Sequence, residues 1–219
     1  MRVVIAGGHG KIALKLERLL TERGDQAVGL IRNPDHHDDV RAAGAEPVVC
    51  DLERSDVAEV AAALEGADAV VFAAGAGPGS GAARKDTMDR AGAVLLADAA
   101  QQAGVHRYLL ISTMGLDRAD DLPEDDVFGA YLRAKAASEY DLSHRELNWT
   151  ILRPGRLTND PGTGRVRLGR SVPAGSISRQ DVAAVLLSLL DEPASAKLTL
   201  EVVEGDTPIP EAVTAACQR

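Results

Sequence analysis

The sequence predicts a three-layer α/β fold: a doubly wound parallel sheet covered by helices on both faces, in one domain spanning residues 1–219. Three observations carry that prediction. Apolar runs of strand length alternate with segments of helical period along the chain. The first run passes straight into a glycine-rich turn and then a helix. No internal repeat, low-complexity tract or linker interrupts the alternation.

The elements follow in order. Arg2 to Ala6 reads as a strand, and Lys11 to Arg23 as a helix stopped by Gly24. Ala27 to Ile31 is the second strand and Pro47 to Cys50 a short third. Ser55 is placed to cap an alanine-rich helix ending at Leu64, and Ala69 to Ala74 is the fourth strand. A helix from about Lys85 to Ala103 ends at Gly104, and Tyr108 to Ser112 is the fifth strand. A helix around Ala130 to Leu142 leads to the sixth strand, Thr150 to Arg153. The last helix is Asp181 to Leu190 and the last strand Leu198 to Val203. Strands and helices in this rhythm, joined by right-handed crossovers, make the sheet parallel and buried on both faces.

Composition removes several classes of function. Apolar residues are 45% of the chain, which excludes disorder, while aromatics are only 3% and the formal charge is −9. Nucleic acid is bound by basic faces and stacking platforms, and this chain has neither bias. No apolar run approaches the ~20 residues of a membrane span. The chain opens on an apolar strand rather than a basic segment and a long apolar stretch, so a cytoplasmic protein is expected. Cys50 and Cys217 lie far apart, and Cys50 ends an apolar run, which predicts a buried free thiol. His36-His37-Asp38-Asp39 has metal-like residues, but neighbours in sequence rarely converge on one ion, so it reads as a solvated helix cap and no metal is expected.

The turn after the first strand, Gly7-Gly8-His9-Gly10-Lys11-Ile12-Ala13, carries the strongest chemical signal. Gly7 permits the tight turn, Gly10 lets backbone approach a pyrophosphate, and Ala13 allows close helix–sheet packing. The pyrophosphate then rests on amides at the positive end of the helix dipole. This is the dinucleotide cradle of a Rossmann fold. NAD-selective cradles place an acid at the end of the second strand, on the ribose 2′-hydroxyl. Here that place reads Leu30-Ile31-Arg32-Asn33-Pro34, with no acid until Asp35. The Arg32 guanidinium suits a 2′-phosphate, so NADP(H) is the expected cofactor.

Tyr131 and Lys135 stand four residues apart and share a helix face. A free phenol titrates near 10, and bringing it to about 7 requires ~4 kcal/mol of preference for the phenolate. The Lys135 ammonium in a partly desolvated cleft is expected to supply much of that shift. Ser112 lies upstream at the carboxyl end of the fifth strand, where open α/β sheets bind their ligands.

The Gly7-x-x-Gly10-x-x-Ala13 spacing resembles that of short-chain dehydrogenase/reductases of the extended and atypical kinds. Asp51-Leu52, Ala73-Ala74-Gly75, Tyr131-Leu132-Arg133-Ala134-Lys135, Arg153-Pro154-Gly155 and Ser178-Arg179-Gln180-Asp181-Val182-Ala183 follow in the same order. Together they resemble the atypical NAD(P)-binding subgroup, epimerase/dehydratase-like and with NmrA-like relatives. The resemblance implies that Asp51 and Leu52 lie against the adenine. It puts Ala73, Ala74 and Gly75 beside the nicotinamide ribose, and Pro154 and Gly155 at the nicotinamide. Gly7, Gly8, His9, Gly10, Lys11 and Ile12 then form the pyrophosphate loop. In the family mechanism Tyr131 gives a proton to a carbonyl oxygen, Lys135 also holds the ribose hydroxyls, and Ser112, or alternatively Thr113, polarises the carbonyl. Where better-known members carry an Asn in the helix after the fourth strand, this chain has Asp89, which alters any proton relay.

Substrate-side elements are expected within 116–129 and 156–176, with Gly77 to Gly81 completing the walls. The acidic stretch Asp117 to Asp126 reads as a mobile loop at the substrate mouth. Arg165, Arg167 and Arg170 are candidates to meet an anionic substrate, or are simply solvated. The leading functional reading is an NADPH-dependent oxidoreductase acting on a small carbonyl, quinone or flavin, as a monomer or homodimer without nucleic-acid or membrane partners. A non-catalytic redox sensor resembling NmrA-like regulators is the alternative. A sugar-type epimerase is a third, weakened because only 64 residues follow Gly155.

Overall fold

The computed structural model describes residues 1–77 and 79–218. Chain order is β1 (Arg2–Ala6), α1 (Ala13–Arg23), β2 (Gln26–Ile31), α2 (His37–Ala42), β3 (Glu46–Val49), α3 (Val57–Ala63) and β4 (Ala69–Phe72). Next come α4 (Ala82–Arg84), a π-helical stretch (Lys85–Gly92), α5 (Ala93–Gln102), β5 (Arg107–Ile111), α6 (Val127–Ser143) and β6 (Asn148–Pro154). The chain continues through β7 (Arg156–Thr158), β8 (Arg165–Gly169), β9 (Ser176–Ser178), α7 (Arg179–Leu190), β10 (Leu198–Glu204), β11 (Thr207–Pro208) and α8 (Ile209–Cys217).

The described residues form a nine-stranded sheet ordered β11-β8-β10-β6-β5-β4-β1-β2-β3, with β7 and β9 paired separately. From β3 to β10 neighbouring strands are parallel. The chain works outward from β1 to β3, returns to β4 and then builds the other way. The reversal opens a crevice between the carboxyl ends of β1 and β4, where such sheets bind ligands. Successive β1 side chains enter opposite layers: Val3 and Ile5 join one core, Val4 and Ala6 the other. Leu16 and Leu20 of α1, Leu186 of α7 and Val213 of α8 close the first layer. Val60 of α3 and Leu96 of α5 close the second. This is the doubly wound α/β architecture expected of the sequence.

Several elements differ from expectation. The sheet is not wholly parallel, because β8 runs antiparallel to β10 and β11 antiparallel to β8. Strands β7, β8, β9 and β11 are two to five residues long, too short to show a period, and α8 was likewise not expected. Asp56, not Ser55, caps α3, because Ser55 N–H closes a turn onto Asp51 O at 2.8 Å. Asp56 and Glu59 then form a reciprocal capping box, at 2.9 and 3.0 Å. The helix expected from Lys85 to Ala103 is broken by the π-helical stretch, whose wider turn buries Met88, Asp89 and Gly92. Cys50 is only partly buried, as is Cys217.

Candidate active site

The glycine loop is built by backbone crowding. Gly7 has φ +80°, and a β-carbon there would lie 2.6 Å from Ala74 Cα. A β-carbon on Gly8 would come equally close, 2.6 Å, to Gly29 Cα of β2. The Gly7 and Gly8 amides both donate to Leu30 O, at 3.2 and 2.9 Å, and Gly10 N–H donates to Gly7 O at 2.8 Å. Those amides therefore serve the loop itself, and the uncapped first turn of α1 faces the cleft. His9, Gly10, Lys11 and Ile12 line that cleft, a space of about 510 Å³. The His9 ring stacks on His36 at 3.6 Å and its Nε2 lies 2.7 Å from Asp39 Oδ2. No metal-holding group of side chains exists among the described residues. His36 and Asp39 instead brace the glycine loop.

At the far end of the cleft Arg32 and Asn33 follow β2. Asn33 Oδ1 accepts from Asp35 N–H at 3.1 Å, capping the next turn. Asp51 and Leu52 do not line the cleft: Asp51 Oδ1 accepts from Glu53 N–H at 3.1 Å, and Leu52 is buried in the core. Arg84 and Met88 occupy the wall instead. Glu53 accepts hydrogen bonds from Arg32 (3.3 Å), from Arg84 (2.9 and 3.1 Å) and from Thr87 (2.7 Å). Burial pushes the Glu53 carboxyl up, but the bonds from Arg84 and Thr87 and the two guanidinium charges hold it below the ordinary range. Sequence reasoning missed Glu53, Arg84 and Thr87. Only the adjacency of β2 and β3 could have suggested Glu53.

Ala73, Ala74, Gly75 and Ile12 line both this cleft and a second pocket of about 690 Å³. The second pocket brings together Ser112 after β5 and Tyr131 and Lys135 from α6. Ser112 Oγ is buried with no hydrogen-bond partner among the described residues. Lys135 Nζ donates to Ile111 O at 3.0 Å and stands 3.5 Å from Asp89 Oδ1. Asp89, buried by the π-helical turn, also accepts from Ala76 N–H at 3.1 Å. Burial lowers the Lys135 pKa, and the Asp89 charge offsets only part of that.

Tyr131 corrects an expectation. Its phenol is pushed up to about 12, by burial first and by the Asp89 charge second, while a bond with the Thr113 hydroxyl works the other way. Lys135 does not lower it. The ammonium is committed to Asp89 and Ile111 O, and lies 6.0 Å from the Tyr131 ring centroid.

The pocket mouth is apolar. Val127 and Phe128 are 44% and 49% exposed, and Phe128 stacks against Tyr131 at 6.0 Å. Lys85 Nζ sits 5.5 Å over the Tyr131 ring and donates to Gly77 O at 2.9 Å. Within the expected wall Gly77 to Gly81, Pro78 lies outside the described residues. Of the acidic stretch, Asp126 lines the pocket and caps α6 through Gly129 N–H at 2.7 Å. Residues Leu116–Asp121 form a 3₁₀ turn, and Arg133 donates to Ala119 O and Glu124 O on either side of its end. Pro154 and Gly155 lie outside the lining of both pockets, and Gly155 packs against Gly175 and Val203. Arg165, Arg167 and Arg170 do not face the pocket either. Arg165 and Arg167 belong to β8; Arg165 bonds Asp206 O, and Arg167 and Arg170 border a separate hollow beside α8.

Residues 7–193 match the sequence model of a family described as NAD(P)H-binding. The chain is 35% identical over 214 residues to a Bacillus subtilis (strain 168) protein called uncharacterized sugar epimerase YhfK, covering 97% of this chain and 99% of that one. A solved structure from Bacillus halodurans, provisionally named an NAD-dependent epimerase/dehydratase, superposes with TM-score 0.90 and 36% identity, covering 98% and 99%. ChuY, an anaerobillin reductase from Escherichia coli O157:H7, superposes with TM-score 0.79 and 25% identity over 94% of this chain and 98% of that one.

Proposed function

The chain belongs to the NAD(P)H-binding family, and we propose that it is a single-domain, NADPH-dependent oxidoreductase of the atypical short-chain type. Its substrate is a small, largely apolar carbonyl, quinone or flavin compound. One observation carries the reading: the unpartnered, buried Ser112 hydroxyl and the Tyr131 phenol share a pocket that is continuous with the glycine-loop cleft through Ala73, Ala74 and Gly75. An orphaned buried hydroxyl is costly unless a ligand completes it. The similarity to an enzyme named a reductase points the same way.

The chain fits a dinucleotide at its crowded glycine loop, where any β-carbon on Gly7 or Gly8 would meet backbone. Residues 9–12 and the uncapped start of α1 would hold the pyrophosphate, Arg32 the 2′-phosphate, and Lys135 the ribose nearest the chemistry. The bound cofactor supplies a hydride. Ser112 then donates a hydrogen bond to the substrate oxygen, and Tyr131 delivers the proton. A phenol with pKa about 12 is protonated at neutral pH, so the proton that reduction needs is present while the phenolate that oxidation needs is scarce. Val127 and Phe128 give the mouth an apolar rim.

Titration with NADPH and NADH, followed by NADPH oxidation against aldehydes, ketones, quinones and flavins, tests the proposal. NADPH is expected to bind more tightly, and Arg32→Asp to weaken it about 10- to 100-fold, the worth of one charged hydrogen bond. Equal affinities, or an unaffected Arg32→Asp variant, would sink the cofactor assignment. Tight binding without turnover of any panel member would favour the sensor.

A further inference from the structure

Cofactor choice in this cleft involves a carboxylate that arrives from the wrong strand. The acid that reads a ribose 2′-hydroxyl is ordinarily at the end of β2. Here the end of β2 offers Arg32, and Glu53, beyond β3, supplies a carboxylate to the same place at 3.3 Å. We propose that Glu53 is a specificity-determining residue that competes for Arg32 and so narrows the preference for NADPH over NADH. The inference rests on the dinucleotide reading of the cleft.

The geometry supports competition rather than simple support. Glu53 Oε2 is shared between the guanidiniums of Arg32 and Arg84, while Oε1 takes the Thr87 hydroxyl. Two guanidiniums and a hydroxyl around one anion are also the donor set a phosphate monoester would choose. The carboxylate thus stands where a 2′-phosphate would draw Arg32. Arg84 is anchored besides on Ala76 O at 3.1 Å, so it holds Glu53 while Arg32, 54% exposed, is free to swing. A 2′-phosphate, carrying between one and two negative charges, must take Arg32 from Glu53 and sit beside its charge. A bare 2′-hydroxyl meets no such repulsion and leaves the Arg32–Glu53 contact in place. Glu53 therefore penalises NADPH relative to NADH.

The test is the dissociation constant of each cofactor for the wild type and Glu53→Gln, with circular dichroism confirming the fold of the variant. Glu53→Gln is expected to raise the NADPH-over-NADH affinity ratio about tenfold, the effect of removing one charged contact. An unchanged or smaller ratio in the folded variant overturns the proposal. Should the variant fail to fold, the wild type still decides: adenosine 2′-phosphate, but not adenosine, is expected to shift the Arg84 Nε–H resonance, because Arg84 reports on Glu53. Identical shifts with both probes would overturn it. A wild type that prefers NADH defeats the NADPH reading alone and leaves this inference to the ratio in Glu53→Gln.

Discussion

Tyr131→Phe is expected to slow NADPH-dependent reduction by about 10²- to 10⁴-fold, the usual worth of a positioned acid, with the NADPH dissociation constant unchanged. The ring stays in place against Phe128, so the loss isolates the hydroxyl. A variant that keeps its turnover would show that hydride passes without this proton, as in transfer to a flavin. The pH profile carries a second consequence. With the phenol at about 12, reduction loses no acid through the neutral and mildly alkaline range. Oxidation needs the phenolate, whose fraction rises about tenfold per pH unit below that value. Asp89→Asn removes an anion that raises the phenol, so the alkaline rise of oxidation moves to lower pH. An oxidation profile that does not move would remove Asp89 from the control of Tyr131.

Glu17 dominates the second large effect. It lies on α1, fully buried, with neither carboxylate oxygen hydrogen-bonded among the described residues. Its Oε1 fills the space that a β-carbon on Gly29 would need, 2.7 Å away. Burial pushes the carboxyl up to about 8 from an ordinary 4.5. Between those values the unfolded chain releases a proton that the folded chain keeps. The folded state is therefore favoured most below about 4.5, and this contribution is lost as pH rises to about 8. At about 1.4 kcal/mol per unit the loss amounts to a few kcal/mol. Glu17→Gln abolishes the titration, so its stability relative to wild type should climb from pH 5 to pH 8 and then level. Urea midpoints for both proteins across that range decide it, and parallel curves would mean that Glu17 finds an anion-stabilising partner.

Both effects arise from groups whose type was plain in the sequence and whose surroundings were not. The alternation of strands and helices was legible because each buried strand and each amphipathic helix writes its own period locally. The glycine loop was legible for the same reason: its turn and its close approaches are imposed by residues next to one another. Ser112, Tyr131 and Lys135 could be named from their order, and the fold brings all three to one pocket. The short strands β7, β8 and β9 carry no period, and β8, paired between β10 and β11, holds Arg165 and Arg167 away from the pocket of Ser112 and Tyr131.

Charge was the property that local reading handled worst. The four-residue spacing sets Lys135 against Tyr131, yet the π-helical turn delivers Asp89 from another element and takes the ammonium. The end of β2 shows Arg32 with no acid until Asp35, yet β3 pairs with β2 and brings Glu53 onto it. Nothing in the sequence marks Glu17, whose carboxylate loses water only because α1 packs it against Gly8 and Gly29. The sequence by itself determined the α/β layers, the crowded glycine loop and the identity of the candidate side chains Ser112, Tyr131 and Lys135, because backbone sterics and hydrophobic period act over a few residues. The tertiary structure alone decided which charges face one another and which lose water, because Coulomb and desolvation energies depend on distances that close only when remote segments pack.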